Sequence, residues 1–182
     1  MVMTNNLIYE ERVSSNRTEA LFMVFTILFF MLLIWRVSTG NPDILSAAFF
    51  FFFVFFFFYS VNYRILIIRL TPESLKLRFG IFTWTVPLDN VGECRLDDLP
   101  VLMRFGGAGI HFMFIRKRYR ASFNFLEHPR VVIALKRKVG FVLDISFSTC
   151  RPDDVIQLLQ NAVSAQSEPY RDISYKIFSQ HR

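Results

Sequence analysis

The chain has 182 residues, of which 53% are hydrophobic and 17% aromatic, and its formal net charge is +6. Two apolar segments inflate the hydrophobic fraction, and two lone cysteines, far apart in sequence, fit a reducing compartment better than a disulfide framework. The charge is uneven: residues 1–19 carry two Arg against three Glu, whereas residues 62–182 carry 18 Lys and Arg against 11 Asp and Glu, a net +7.

Residues 1–19 read as a polar N-terminal arm. Residues 20–37 (ALFMVFTILFFMLLIWRV) hold one charge, Arg36, and residues 44–61 (ILSAAFFFFFVFFFFYSV) hold none. At about 1.5 Å per helical residue each segment reaches roughly 27 Å, close to the hydrocarbon thickness of a bilayer. Six residues with Gly40 and Pro42 join them, so the pair predicts a transmembrane helical hairpin. A cleaved signal peptide fits poorly: the first run is long, a second follows at once, and Val37 and Thr39 make a poor cleavage site. Arg12 and Arg17 before the first span, with Arg64 and Arg69 after the second, outweigh Arg36 and Asp43 in the turn. Both termini are therefore expected in the cytoplasm. Trp35, Tyr59 and Tyr63 stand near span ends, where amphipathic rings favour the headgroup region.

Nine phenylalanines between Phe49 and Phe58 cover every face of a helix and define no seam. They serve either as a lipid-facing surface or as rings stacked on the first span or on a neighbouring subunit. No GxxxG motif sets a close helix crossing, and neither span has an ionisable residue at mid-membrane, which speaks against a channel or transporter.

Residues 62–164 read as one compact domain. Ile65 to Leu70 is β-branched-rich, Leu75, Leu77 and Phe79 alternate with Lys76 and Arg78, and Phe82, Trp84 and Val86 alternate with Thr83 and Thr85. These predict a three-stranded antiparallel meander. Further strands are expected near 93–96, 110–114, 119–125, 131–135 and 141–145. Ile110, Phe112 and Phe114 are read as inward-facing, and so are the aromatics between Arg116 and Phe125. Pro152, Asp153 and Asp154 open a helix whose apolar face is Val155, Leu158, Leu159 and Ala162. Residues 165–182 read as a tail.

About seven antiparallel strands followed by one helix give an α+β membrane protein: a two-helix hairpin, then a small β-barrel or sandwich plugged by the helix. This order resembles the pleckstrin-homology-like fold, and more closely the prokaryotic membrane proteins in which two N-terminal spans precede such a domain. The resemblance rests on residues 63–87 with Gly80, on Val86-Pro87-Leu88-Asp89-Asn90-Val91, on Gly106-Gly107-Ala108-Gly109-Ile110 and on residues 146–159. It implies a membrane-tethered domain for binding or assembly rather than catalysis. Eukaryotic relatives of the fold bind phosphoinositides at the turn between the first two strands. Here that turn is Thr71-Pro72-Glu73, with no cation, so those residues do not carry over.

Arg116, Lys117, Arg118 and Arg120 form one basic cluster and Lys136, Arg137 and Lys138 another, both placed at turns. Alternate connections of a meander share one end, so the clusters would meet there and touch anionic phospholipid headgroups. Specific headgroup binding, non-specific attraction and simple solvation remain open, as does the reading that the charge only marks the cytoplasmic side. Nucleic acid is the weaker partner, because no exposed stacking platform is evident.

Gly106-Gly107-Ala108-Gly109 lacks the Lys-Ser/Thr of a phosphate loop and precedes a strand, so it reads as a turn. His111, His128 and His181 have no metal spacing with each other or with Cys94 and Cys150. Asp97 and Asp98 point to opposite faces of a strand and make no acid–base pair. No nucleophile motif is present, and no catalytic residue, metal or cofactor is expected. The sequence thus predicts a non-enzymatic membrane-anchored module for protein interaction or self-assembly at the cytoplasmic face, with anionic lipid assisting. The alternative is an accessory subunit of a membrane enzyme or transporter complex.

Overall fold

The computed structural model describes residues 6–40, 43–98, 109–115 and 117–179, with backbone alone for 167–179. The described residues form an α+β protein of two long apolar helices, sheets of four and five strands, and a C-terminal helix. Helix α1 spans Asn16–Thr39 and α2 spans Ile44–Asn62. Ser15 caps α1 by accepting from the Thr18 amide, and Asp43 with Ser46 forms a capping box on α2. Both helices are long and apolar enough to cross a membrane, and only 11% of each apolar window is buried.

Their contact sorts the phenylalanines. Phe25 stacks on Phe56, and Phe29 stacks on Phe52 and Phe56, with centroids 4.9–5.4 Å apart. Phe50, Phe51 and Phe57 stay largely exposed. A seam at three- and four-residue spacing therefore exists, although the composition of α2 hides it.

Part of the arm 1–19 is a strand. β1 (Tyr9–Ser14) pairs antiparallel with β2 (Ile65–Leu70), with Val13 opposite Leu66 and Glu11 opposite Ile68. Its alternation is obscure in the sequence because Glu11 occupies an inward position. The Glu11 carboxylate is used there, accepting from the Thr149 hydroxyl and the Cys150 amide. β3 (Ser74–Phe79) and β4 (Phe82–Pro87) complete the sheet β1-β2-β3-β4, so the expected meander is present with one strand added. Gly80 turns β3 into β4 at φ +59°, and a Cβ there would collide with the Asn62 carbonyl oxygen.

The second sheet departs from expectation. It comprises β5 (Val91–Leu96), β6 (Gly109–Ile115), β7 (Arg118–Asn124), β8 (Arg130–Val139) and β9 (Val142–Ser148), in the order β5-β8-β9-β7-β6. β7 and β9 run parallel, with Ala121 opposite Ile145. The sheet is thus not wholly antiparallel. After β7 the chain skips one strand position, β8 forms, and the tight turn at Gly140 (φ +62°) returns β9 into the gap. The Phe125 amide donates to Ser148 Oγ and the Thr149 amide to the Pro129 carbonyl, fixing that crossover.

The two sheets do not close into a barrel. At the β4–β6 seam Trp84 meets Phe112 and Phe123 edge-on or tilted. Phe112 is 51% and Phe114 69% exposed, a correction to their reading as inward-facing: they share a face with the buried Ala121 in register but lie toward the open end of β6. Helix α3 (Pro152–Ser179) packs Val155 and Leu159 into the core. Its backbone continues through the segment expected as a tail, where Pro169 and polar composition gave no helical signal.

The helical hairpin is continuous with the β core. Phe22 and Tyr63 are buried in it, and ring contacts run from Phe22 to Tyr59, Tyr63, Phe79 and Phe125.

Candidate functional site

The β body has two ends. Ser14 leads directly into α1, Tyr63 follows α2, and the Gly80 turn packs on Asn62, so these mark the near end. The Leu126 amide donates to Thr18 Oγ1 on α1, which places the end of β7 there as well. Because β7 and β9 are parallel, both start at the far end. Arg118 stands six residues before Asn124, about 20 Å along the strand.

Both predicted basic clusters lie at this far end, with Lys136, Arg137 and Lys138 inside β8 rather than in a turn. Most are already engaged. Arg118 Nε donates to Asp144 Oδ1 at 2.7 Å. Arg120 is 2% exposed, donates to Asp97 Oδ1 at 3.0 Å and lies 3.9 Å from Asp144. Arg137 pairs with Asp89 at 2.7 Å, and Lys136 Nζ donates to the Asp89 carbonyl. Lys117 and Lys138 are exposed, and Arg116 lies outside the described residues. The strand order does bring the two clusters to one end, but carboxylates answer them and the apolar helices leave from the other. The glycine turn at Gly106, Gly107 and Ala108 also lies outside the described residues; Gly109 opens β6 at φ +87° against the Tyr59 ring.

Arg120 belongs to a buried polar layer on the outer face of the second sheet. Asn124 Nδ2 donates to Ser146 Oγ at 3.2 Å, and Ser146 donates to Ser122 at 2.9 Å. His111 sits beside Ser122 in register. Burial, reinforced by the Arg130 charge, pushes its imidazole down to about 4, so it is neutral at physiological pH. Cys150 Sγ approaches His128 Nδ1 at 3.7 Å. Burial and the Glu11 carboxylate raise this thiol, the opposite of what a nucleophile needs. Burial also pushes Cys94 up to about 11. Among the described residues no three His, Cys, Asp or Glu side chains gather as metal ligands.

The near end holds a broad opening. A cleft of about 700 Å³ separates the outer face of the first sheet from the ends of α1 and α2. Arg12, Arg64 and Arg78 line it with Glu19, Asn16 and Asn62. Strand register builds it: Arg12 lies opposite Ile67, and Ile67 opposite Arg78. Alternation that buries Leu66 and Leu77 turns Arg12 and Arg78 outward together. Arg64 pairs with Glu19 at 2.6 Å, Arg12 lies 3.6 Å from Glu10, and Arg78 Nε donates to the Gly80 carbonyl. Glu10 also serves Arg69 at 3.0 Å. Three guanidiniums thus meet one carboxylate among the charged lining residues.

A second cavity of about 340 Å³ runs between α1 and α2 and shares Glu19, Val61 and Arg64 with the cleft. Its lining positions 19, 23, 26, 27 and 30 on α1 and 53, 57, 60 and 61 on α2 each follow one helical face, and Arg64 joins them from just beyond the end of α2. In the sequence Arg64 stands as an orientation signal and Arg78 as a position alternating with the apolar residues of β3. The alternation of Arg78 was visible; its meeting with Arg12 and Arg64 was not. No family model matches the chain, and no curated protein or solved structure matches it.

Proposed function

We propose that the protein is a non-enzymatic, membrane-anchored module that holds a β body at the cytoplasmic face for self-assembly or binding to another protein. The observation that carries the reading is the helical hairpin, apolar and exposed along its length yet buried at Phe22 and Tyr63 in the β core. Exposed hydrocarbon on this scale suits lipid as solvent. Ile81, 69% exposed at the Gly80 turn, places a further apolar side chain beside the helix ends. A body joined by ring packing moves with its anchor, so its orientation is set and weak contacts gain from confinement. The uncovered edge with Phe112, Phe114 and Tyr119 is the surface best suited to a protein partner. Two sheets and a C-terminal helix support a pleckstrin-homology-like ancestry, while the parallel β7–β9 pair departs from it.

Alkaline carbonate should leave the full-length chain in the membrane pellet; release into the supernatant defeats the anchoring. An impermeant maleimide should reach the exposed Cys150 only after the inner face is opened; labelling of sealed right-side-out vesicles reverses the orientation. Phe112→Ser with Phe114→Ser should shift the detergent-solubilised protein to a smaller species. A wild-type monomer removes self-assembly and leaves the partner reading.

A further inference from the structure

We propose that the near-end cleft and the groove between α1 and α2 together hold one anionic phospholipid, a reading that rests on the bilayer placement of both helices. The phosphodiester sits among Arg12, Arg64 and Arg78, and one acyl chain runs down the groove. Three observations converge on that molecule. The cleft is cationic: three guanidiniums line it against Glu19, Arg12 has only a 3.6 Å approach to Glu10, which Arg69 also holds, and the planar donor fork of Arg matches phosphate oxygens. It opens without a break into an apolar groove through the shared residues Glu19, Val61 and Arg64. The cleft also lies where α1 begins and α2 ends, at the depth of a headgroup.

The groove has a sequence cause. Its floor is Thr26 and Ser60, 7% and 8% exposed, while Met23, Ile27, Phe30 and Phe57 rise beside them, each more than 40% exposed. Thr26 Oγ1 donates to the Phe22 carbonyl, so its hydroxyl is satisfied within the helix and its methyl is left to the groove. Two small residues facing each other in a chain so rich in Phe leave a furrow. From Glu19 to Phe30 it is about 16 Å long, enough for most of an acyl chain. A free phosphate would have no use for the furrow, and a zwitterionic phospholipid, whose phosphodiester is the same, would bring a quaternary ammonium into a cleft lined by three guanidiniums. An anionic phospholipid fits both.

The test uses full-length protein in nanodiscs of phosphatidylcholine with increasing phosphatidylglycerol, analysed by native mass spectrometry for lipid retained after detergent release. Wild type should keep one phosphatidylglycerol in preference to phosphatidylcholine, and millimolar inorganic phosphate should not displace it. Arg64→Gln with Arg78→Gln should lower the preference about tenfold, as expected for lost hydrogen bonds to a charged group. Ser60→Leu, which fills the furrow and leaves every cation in place, should lower retention as well. Equal retention of the two lipids by wild type, or unchanged retention in both variants, would overturn the inference. Displacement by phosphate alone would reassign the cleft to a soluble anion. Carbonate extraction run beside it separates the two readings: a chain that stays in the pellet without lipid preference loses only the inference, whereas a chain that washes off loses the anchoring first.

Discussion

The two ends of the β body are both rich in arginine, and they differ in how fully acids answer it. At the far end Arg118, Arg120 and Arg137 each meet a carboxylate, and Arg120 is enclosed with Asp97 and Asp144. At the near end Arg12, Arg64 and Arg78 line an open cleft with Glu19 as the sole acidic lining residue. These far-end arginines are matched by acids one for one, whereas at the near end Arg64 holds Glu19, Arg12 shares Glu10 with Arg69, and Arg78 has a carbonyl in place of a carboxylate, which leaves net positive charge around the cleft. A run of basic residues in sequence is therefore a poor guide to a binding surface; what counts is whether the fold brings acid to it.

The sharpest way to break this contrast is to remove a far-end acid. Asp97→Ala would leave the buried Arg120 with only Asp144, 3.9 Å away and already held by Arg118, and thermal or denaturant unfolding in detergent should record a loss of about 2–4 kcal/mol. Unchanged stability would mean that the far-end pairs hold nothing together. At the near end Gly80→Ala forces a Cβ against the Asn62 carbonyl at a positive φ. It should cost about 2 kcal/mol or more and loosen the packing of the Gly80 turn on the end of α2. A neutral result would detach that turn from the helix end.

A smaller effect comes from acid. His111 titrates near 4 when folded against an ordinary 6.5, so the unfolded chain binds more protons between those values. Its contribution is intact above 6.5 and lost as pH falls through that window. After allowance for partial exposure, Tm should drop on the order of 2–4 °C between pH 7 and pH 5, and His111→Gln should flatten that slope. Smallest of all, Arg137→Ala removes an exposed pair with Asp89 and should change stability by about 0.5 kcal/mol or less. A large loss there would show that exposed far-end pairs are more than surface decoration.

The residues differ in how far they could be read from their neighbours. Leu75, Leu77 and Phe79 alternate with Lys76 and Arg78, and that alone put β3 in place. Residues 20–37 and 44–61 were evident from length and composition, although α1 starts earlier, at Asn16, because Ser15 caps a polar turn. β1 was hidden by Glu11, whose partners on Thr149 and Cys150 are far away in sequence. Phe112 and Phe114 had the correct period and the wrong destination, since a period says which residues share a face and not what covers it.

The amino-acid order by itself determined the local elements: two apolar helices, alternating strands and a helix opened by Pro152. These follow from periodicity, capping and turn chemistry within a few residues. Only the tertiary structure decided that β9 inserts between β8 and β7, that Arg120 finds Asp97 across 23 residues and Arg137 finds Asp89 across 48, and that Arg12, Arg64 and Arg78 share an open cleft. Strand order and charge pairing join residues distant along the chain, and they are set by how the packed sheets and helices meet.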